Sequence, residues 1–118
     1  MRLSKIQRDS LKAKFSGLCA YCGYELNGAW HADHILPVLR NKTGCENPEN
    51  NVIKNFNPAC ASCNISKNQM SIEVWRGWLQ KHVESLNNNV NIYKISKRFG
   101  LVAETNIPVI FYFEKALG

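Results

Sequence analysis

Acidic side chains are scarce in this chain: nine Asp and Glu stand against fifteen Lys and Arg, giving a formal net charge of +6 and a pI near 9.2. That balance makes a polyanion a natural partner without identifying one. Long apolar runs are missing too, since nothing approaches the roughly 18 residues a membrane-spanning helix needs. The opening stretch from Met1 to Arg8 lacks the apolar core of a secretion signal. The expectation is a soluble, unexported, cytoplasmic chain. Hydrophobic residues at 45% and charged residues at 20% exclude wholesale disorder and collagen-like repetition. No internal repeat and no low-complexity linker is present. With 118 residues there is room for one domain, residues 1–118, and none for a second with its own core.

The cysteines are spaced for a metal. Cys19, Cys22, Cys60 and Cys63 form two Cys-x-x-Cys pairs with residues 23–59 between them. Two intervening residues let both sulfurs of a tight turn face one ion, and two such knuckles close a tetrahedral four-sulfur zinc site. A redox motif needs only one pair inside a βαβ pattern, and a secreted disulfide scaffold carries a leader and no odd cysteine. The fifth cysteine, Cys45, lies in a polar stretch and reads as a bystander thiol. A saturated four-sulfur site has no open coordination position, so it staples the fold and leaves chemistry to other residues.

Local pattern places these motifs. Residues 4–16 read as a helix with a Ser4/Gln7 capping box and Gly17 at its end, and its other side is basic, with Arg2, Lys5, Arg8, Lys12 and Lys14 against Asp9. That face serves either as a solvated surface or as a phosphate contact. A short strand is expected between Ala29 and Pro37, a long functional or mobile loop from Val38 to Lys54, a second strand at 55–58, and a helix from Ala61 to Lys67. A further helix capped by Ser71 carries a core stripe of Ile72, Trp75, Leu79, Val83 and Leu86. A short helix follows with Ile92, Ile95 and Phe99 on its packed side and Lys94, Lys97 and Arg98 outward as a phosphate rail. The run from Ile107 to Glu114 reads as a terminal strand, and His82 as a packed or exposed residue without a role.

If one zinc ties the two knuckles together, it also brings the segment His31-Ala32-Asp33-His34 beside the helix carrying Asn64. Asp33 and Asn64 are hard oxygen donors suited to Mg²⁺ or Mn²⁺. His34 is the residue type that takes a proton from water near neutral pH. Neighbours on a strand point to opposite faces, so the Asp33-His34 pair needs a twist to share one site.

The ordered set Cys19-x-x-Cys22-Gly23, Asp33-His34-Ile35-Leu36-Pro37, Asn55 five residues before Cys60, and Cys60-x-x-Cys63-Asn64-x-x-Lys67 resembles the HNH endonucleases of the ββα-metal class. The resemblance covers residues 19–67, with 68–118 as an extension. It implies an α+β fold: a small ββα-metal core stapled by the four-cysteine zinc, with flanking helices and a C-terminal strand. It implies His34 as general base, Asp33 and Asn64 as holders of a catalytic Mg²⁺ or Mn²⁺, and Asn55 as the residue that orients His34 and braces the loop. It departs from the family's name-giving pattern at Asn64, where the last His stands. His31 is an accessory candidate. Lys67, with Lys94, Lys97 and Arg98, is a candidate contact to DNA phosphates.

The implied reaction is hydrolysis of DNA phosphodiesters with one ion, leaving a 5′ phosphate and a 3′ hydroxyl. Small stand-alone members point to a phage or mobile-element origin in a bacterial cell, with a packaging or homing partner able to supply specificity. Two readings compete: a zinc-stapled nucleic-acid-binding module without catalysis, and a protein-interaction zinc ribbon, which predicts no salt-dependent affinity for nucleic acid.

Overall fold

The computed structural model describes residues 2–41, 44, 45 and 47–116, and at residues 40, 41 and 45 the description covers the backbone. The expectation for the Cys45 thiol therefore lies outside the described side chains. The chain divides into two compact units, one from residues 1–72 with 110–118, the other from residues 73–109.

In the first unit, α1 (Lys5–Ala13) begins at the expected capping box. The Ser4 hydroxyl accepts from the Gln7 amide at 3.2 Å and the Gln7 side chain accepts from the Ser4 amide at 2.9 Å, so two orphan donors are satisfied. The helix closes where Ser16 and Gly17 take positive φ and the Gly17 amide returns to the Lys12 carbonyl. Its inner face buries Leu11, and Phe15 is buried just beyond its end. One cation of its basic side turns inward: Lys14 Nζ donates to the Phe56 carbonyl and to Asn57 Oδ1, and burial lowers its pKa.

Next, β1 (His31–His34) pairs antiparallel with β4 (Phe56–Ala59), with His31 opposite Ala59, Asp33 opposite Asn57 and His34 opposite Phe56. The helix α2 (Ala61–Lys67) follows β4 directly, completing strand, strand and helix. The connection from Val38 to Lys54, expected as a plain loop, carries a small hairpin of β2 (Arg40–Asn41) and β3 (Gly44–Cys45) and a 3-10 turn at Pro48–Asn50. The hairpin and turn supply local backbone hydrogen bonds that a structureless loop of that length lacks. A second 3-10 turn, Ile53–Asn55, leads into β4.

The C-terminal strand is not formed. Residues 101–111 have no ladder partner, and Tyr112–Ala116 is a short helix, labelled α6 below. Aromatic and branched residues gave the run its strand character, but tertiary partners take its amides. Phe111 N–H donates to Glu114 Oε1, Tyr112 N–H to the Tyr21 carbonyl and Phe113 N–H to the Ala20 carbonyl. Phe111 and Phe113 meet the Tyr21 ring edge-on at 5.8 and 6.0 Å.

The second unit holds α3 (Ile72–Gln80, with Ile72 at the boundary), α4 (His82–Asn89) and α5 (Asn91–Arg98). The expected single stripe is interrupted. Lys81 adopts φ −92° and ψ −3°, which resets the helical phase, so Trp75 is buried while Val83, eight residues on, is exposed. The apolar positions Ile92, Ile95 and Phe99 of and after α5, expected on a packed side, are exposed as well. Glu104 gathers Asn87, Tyr93 and Lys97 around one carboxylate oxygen. Arg76 bridges Glu73 and the Val109 carbonyl. Among the described residues no helix is long and apolar enough to cross a membrane.

Candidate metal centre and active site

Both knuckles arrive at one point because β4 runs between them. The Ala20 amide donates to the Pro58 carbonyl, anchoring the first turn to the strand that delivers Cys60. Gly23, at φ +77°, closes that turn. The four Sγ atoms of Cys19, Cys22, Cys60 and Cys63 lie within 4.8 Å of one another, and Cys22 and Cys60 are 3.8 Å apart. A zinc–sulfur bond of about 2.3 Å sets the edge of a sulfur tetrahedron at about 3.8 Å, so the cluster has the size the ion requires.

Its electrostatics point the same way. The hydrogen bond from Cys63 is the main cause holding the Cys19 thiol down to about 4, helped by amides of Cys60, Cys22 and Tyr21. The remaining thiols resist ionising beside it: burial pushes Cys22 up to about 11, and the partnership with Cys19 followed by burial pushes Cys63 up further. Four sulfurs this close share negative charge only if a cation joins them, and a four-sulfur set suits zinc. Cys60 also serves as N-cap of α2, accepting from the Cys63 amide at 3.4 Å. The staple and the start of the helix are therefore one structure.

On the far side of β1 a hollow of about 200 Å³ is lined by Asp33, His34 and Asn64, with Asn68 and Gln69. Asp33 and His34, adjacent at the end of β1, both line this hollow. Asp33 is buried, and its Oδ2 accepts from the Tyr21 hydroxyl at 2.5 Å and pairs with Lys67 Nζ at 3.1 Å. Burial raises its pKa against the opposing pull of Lys67 and Tyr21. Burial likewise raises the Tyr21 pKa far above the usual range, with Asp33 adding to it, so the phenol remains a donor.

Lys67 does not reach outward to phosphate as expected. Its side chain is 0% exposed, and its ammonium also donates to the His34 carbonyl at 2.7 Å. Its partner is the buried Asp33 carboxylate on β1, and pairing the two charges is what allows both to be buried.

Asn55 braces the loop more directly than it orients the histidine. Its Oδ1 accepts from the Leu36 amide at 2.9 Å, and its Nδ2 donates to the carbonyls of Leu36 and Asn50 at 2.8 and 2.6 Å. The ring of His34 is met by the neighbouring Asn51, whose Oδ1 lies 3.0 Å from Nε2, and packs on Phe56 with centroids 4.4 Å apart. An amide oxygen accepts, so the contact suits a proton on Nε2.

His31 lines a neighbouring hollow of about 510 Å³ with Arg2, Arg8 and His34. In the second unit, Lys94, Lys97 and Arg98 do gather around one hollow with Asn87. Lys97, however, is held by Glu104 at 3.0 Å and Asn87 at 3.1 Å, so its charge is locally balanced.

Tyr21 and Asn51 are the site residues that sequence reading missed. Tyr21 occupies a spacer position of the first knuckle, and Asn51 is one of several asparagines in its loop, so neither carried a distinguishing signal.

Residues 19–70 match the family model of the HNH endonucleases. This segment is similar to the HNH endonucleases. Its bounds run from the first zinc-spaced cysteine to just past Lys67, so the matched region contains both the sulfur cluster and the hollow of Asp33, His34 and Asn64. No curated protein and no solved structure gives a significant match to the chain.

Proposed function

We propose that this chain is a one-metal HNH endonuclease that hydrolyses DNA phosphodiester bonds. The observation that supports it most is the convergence of a histidine, a carboxylate and a carboxamide on one small hollow inside the segment similar to the HNH endonucleases.

The donor set fits a hard divalent ion. Asp33 engages its internal partners through Oδ2, leaving Oδ1 for an ion, and Asn64 contributes a carboxamide oxygen across the hollow. Asp33 and Asn64 would hold Mg²⁺ or Mn²⁺, which supplies Lewis-acid stabilisation of charge on the phosphate and the leaving 3′ oxygen. His34 takes a proton from the attacking water at Nδ1, and Asn51 holds the tautomer that leaves Nδ1 free. Asn55 steadies both sides of that contact, since it ties Leu36, two residues after His34, to Asn50, next to Asn51. The zinc of the cysteine cluster keeps β1 and α2 together and takes no part in the reaction.

In this reading residues 1–118 work as one endonuclease, with Lys94 and Arg98 as contacts to the DNA backbone. A phage or mobile-element setting in the bacterial cytoplasm rests on the family resemblance. One observation favours the alternative of a binding module without catalysis: Asp33 already has a cation, Lys67, at its carboxylate.

Cleavage of supercoiled plasmid by the zinc-loaded protein separates the two. Conversion to nicked or linear DNA that requires Mg²⁺ or Mn²⁺ and disappears in His34→Ala is the expected result. Salt-sensitive binding without cleavage under either ion would establish the binding module instead.

A further inference from the structure

The hollow of Asp33, His34 and Asn64 does not end at the histidine. His34 is also a wall of the second, larger hollow of about 510 Å³, whose other polar walls are Arg2, Arg8 and His31. A strand whose scissile phosphate lies against His34 therefore continues into a depression lined by two guanidinium groups.

Arg8 is prepared for such a role. Its guanidinium carbon lies 4.3 Å from the centroid of the Trp30 ring, a cation–π contact that restrains the group before any ligand arrives. Among the described residues neither Arg2 nor Arg8 forms an ion pair with an acid, in contrast to Lys67 and Lys97, whose charges are balanced internally. Phe56, the ring that supports His34, also lines this hollow, and the two hollows share Ala32 and His34 of β1.

We infer that Arg2, Arg8 and His31 form a second phosphate subsite of the endonuclease, holding the phosphodiester of the same DNA strand that neighbours the scissile one. The inference deepens the endonuclease reading and rests on it. The helix α1, which lies outside the segment matching the HNH family, then delivers the substrate strand, and Arg8 fixes its register by a bidentate contact. Such contacts read no base and give affinity without sequence preference.

The test compares the wild type with Arg2→Gln, Arg2→Gln/Arg8→Gln and Arg8→Lys, each verified for zinc content and helicity. Duplex binding is measured against salt without added Mg²⁺ or Mn²⁺, and plasmid cleavage is measured with Mn²⁺. Each neutralised phosphate contributes about 0.9 to the slope of log affinity against log salt, and the subsite holds one phosphate, so the double variant should lose about 0.9 and Arg2→Gln a measurable share of it. Arg8→Lys should keep the wild-type slope. KM for DNA should rise while kcat at saturating DNA stays within about twofold, as expected for a contact made equally in ground and transition states.

Wild-type slopes in the Gln variants, or a raised KM at an unchanged slope, would overturn the subsite and leave the endonuclease standing. Reduced slopes in a protein that never cleaves would retain the subsite for binding while removing the endonuclease reading. A wild type with no salt-dependent affinity for DNA would end both. If the double variant does not fold, Arg2→Gln decides alone, because Arg2 is exposed at the rim of the hollow.

Discussion

Replacing Lys67 by Met should destabilise the zinc-loaded protein far more than an ordinary lysine substitution. The side chains of Lys67 and Asp33 are 0% and 6% exposed, and their charged atoms are 3.1 Å apart. Methionine keeps most of the volume, so the loss is that of a buried partner: Asp33 retains Tyr21 alone and the His34 carbonyl loses its donor. Breaking a buried pair from one side costs about 3–5 kcal/mol, a large share of the roughly 5–15 kcal/mol that a domain has in total. Protonation of Asp33 limits the cost at low pH. Burial already raises that carboxyl above its usual 3.8, and removing Lys67 removes the largest opposing pull, so the folded-state pKa moves further up. A carboxyl whose folded pKa is raised binds more protons folded than unfolded, so stability falls as pH rises from 3.8 through the raised value. Urea unfolding at about pH 5 and about pH 8, without Mg²⁺ or Mn²⁺, should therefore give the larger loss at the higher pH. The double variant Lys67→Met/Asp33→Asn should recover at least about 1 kcal/mol relative to the sum of the singles. A loss below about 1 kcal/mol at both pH values, or strict additivity of the two substitutions, would refute the buried pair.

The other perturbations act on separate parts. Asn51→Ala should lower kcat for plasmid cleavage by up to about a hundredfold through loss of the His34 tautomer, with zinc content and DNA affinity unchanged; Asn51→Asp, which keeps an acceptor oxygen, should recover part of it. Gly23→Ala should lower stability by at least about 1–2 kcal/mol in urea, because Gly23 sits at φ +77° and a Cβ there lies 3.1 Å from the Tyr112 ring. Asn87 first, then Tyr93 and Lys97, hold the Glu104 carboxyl down to about 2 from 4.5. A lowered folded pKa means that its contribution is complete above about 4.5 and is lost as pH falls toward 2, so acid unfolding followed by circular dichroism should be less steep in that window for Glu104→Gln.

Much of the first unit was legible because its signals are local. The Ser4/Gln7 capping box needs two side chains three residues apart, and the helix Ala61–Lys67 and the cysteine quartet follow from spacing alone. What failed depended on distant partners. The run from Ile107 to Glu114 has strand composition, yet Ala20 and Tyr21 accept the amides of Phe113 and Tyr112 and Glu114 caps the turn, so helix wins over propensity. The stripe through Val83 presumed one unbroken helix, and a single residue at Lys81 in the bridge region is invisible to periodicity. Lys67 looked like a helix-end cation because nothing in the local sequence announces a buried carboxylate 34 positions earlier; the pairing exists only once α2 packs on β1.

The sulfur cluster and the hollow are coupled through strand register. Asp33 faces Asn57 and His34 faces Phe56 across β1 and β4, and β4 leads through Cys60 straight into the helix that carries Asn64 and Lys67. A slip of one residue between these strands exchanges the faces of Asp33 and His34 and takes the carboxylate out of reach of Lys67. Two strands of four residues are marginal by themselves and specify register weakly. Two ties hold them: the cysteine cluster, which joins the first knuckle to the end of β4, and Lys67, which returns from α2 to both Asp33 and His34. The first tie depends on metal and the second on charge, so each protects the register when the other is strained. The buried lysine thus has a structural task of its own: it fixes one oxygen of Asp33 and, with it, the register of β1.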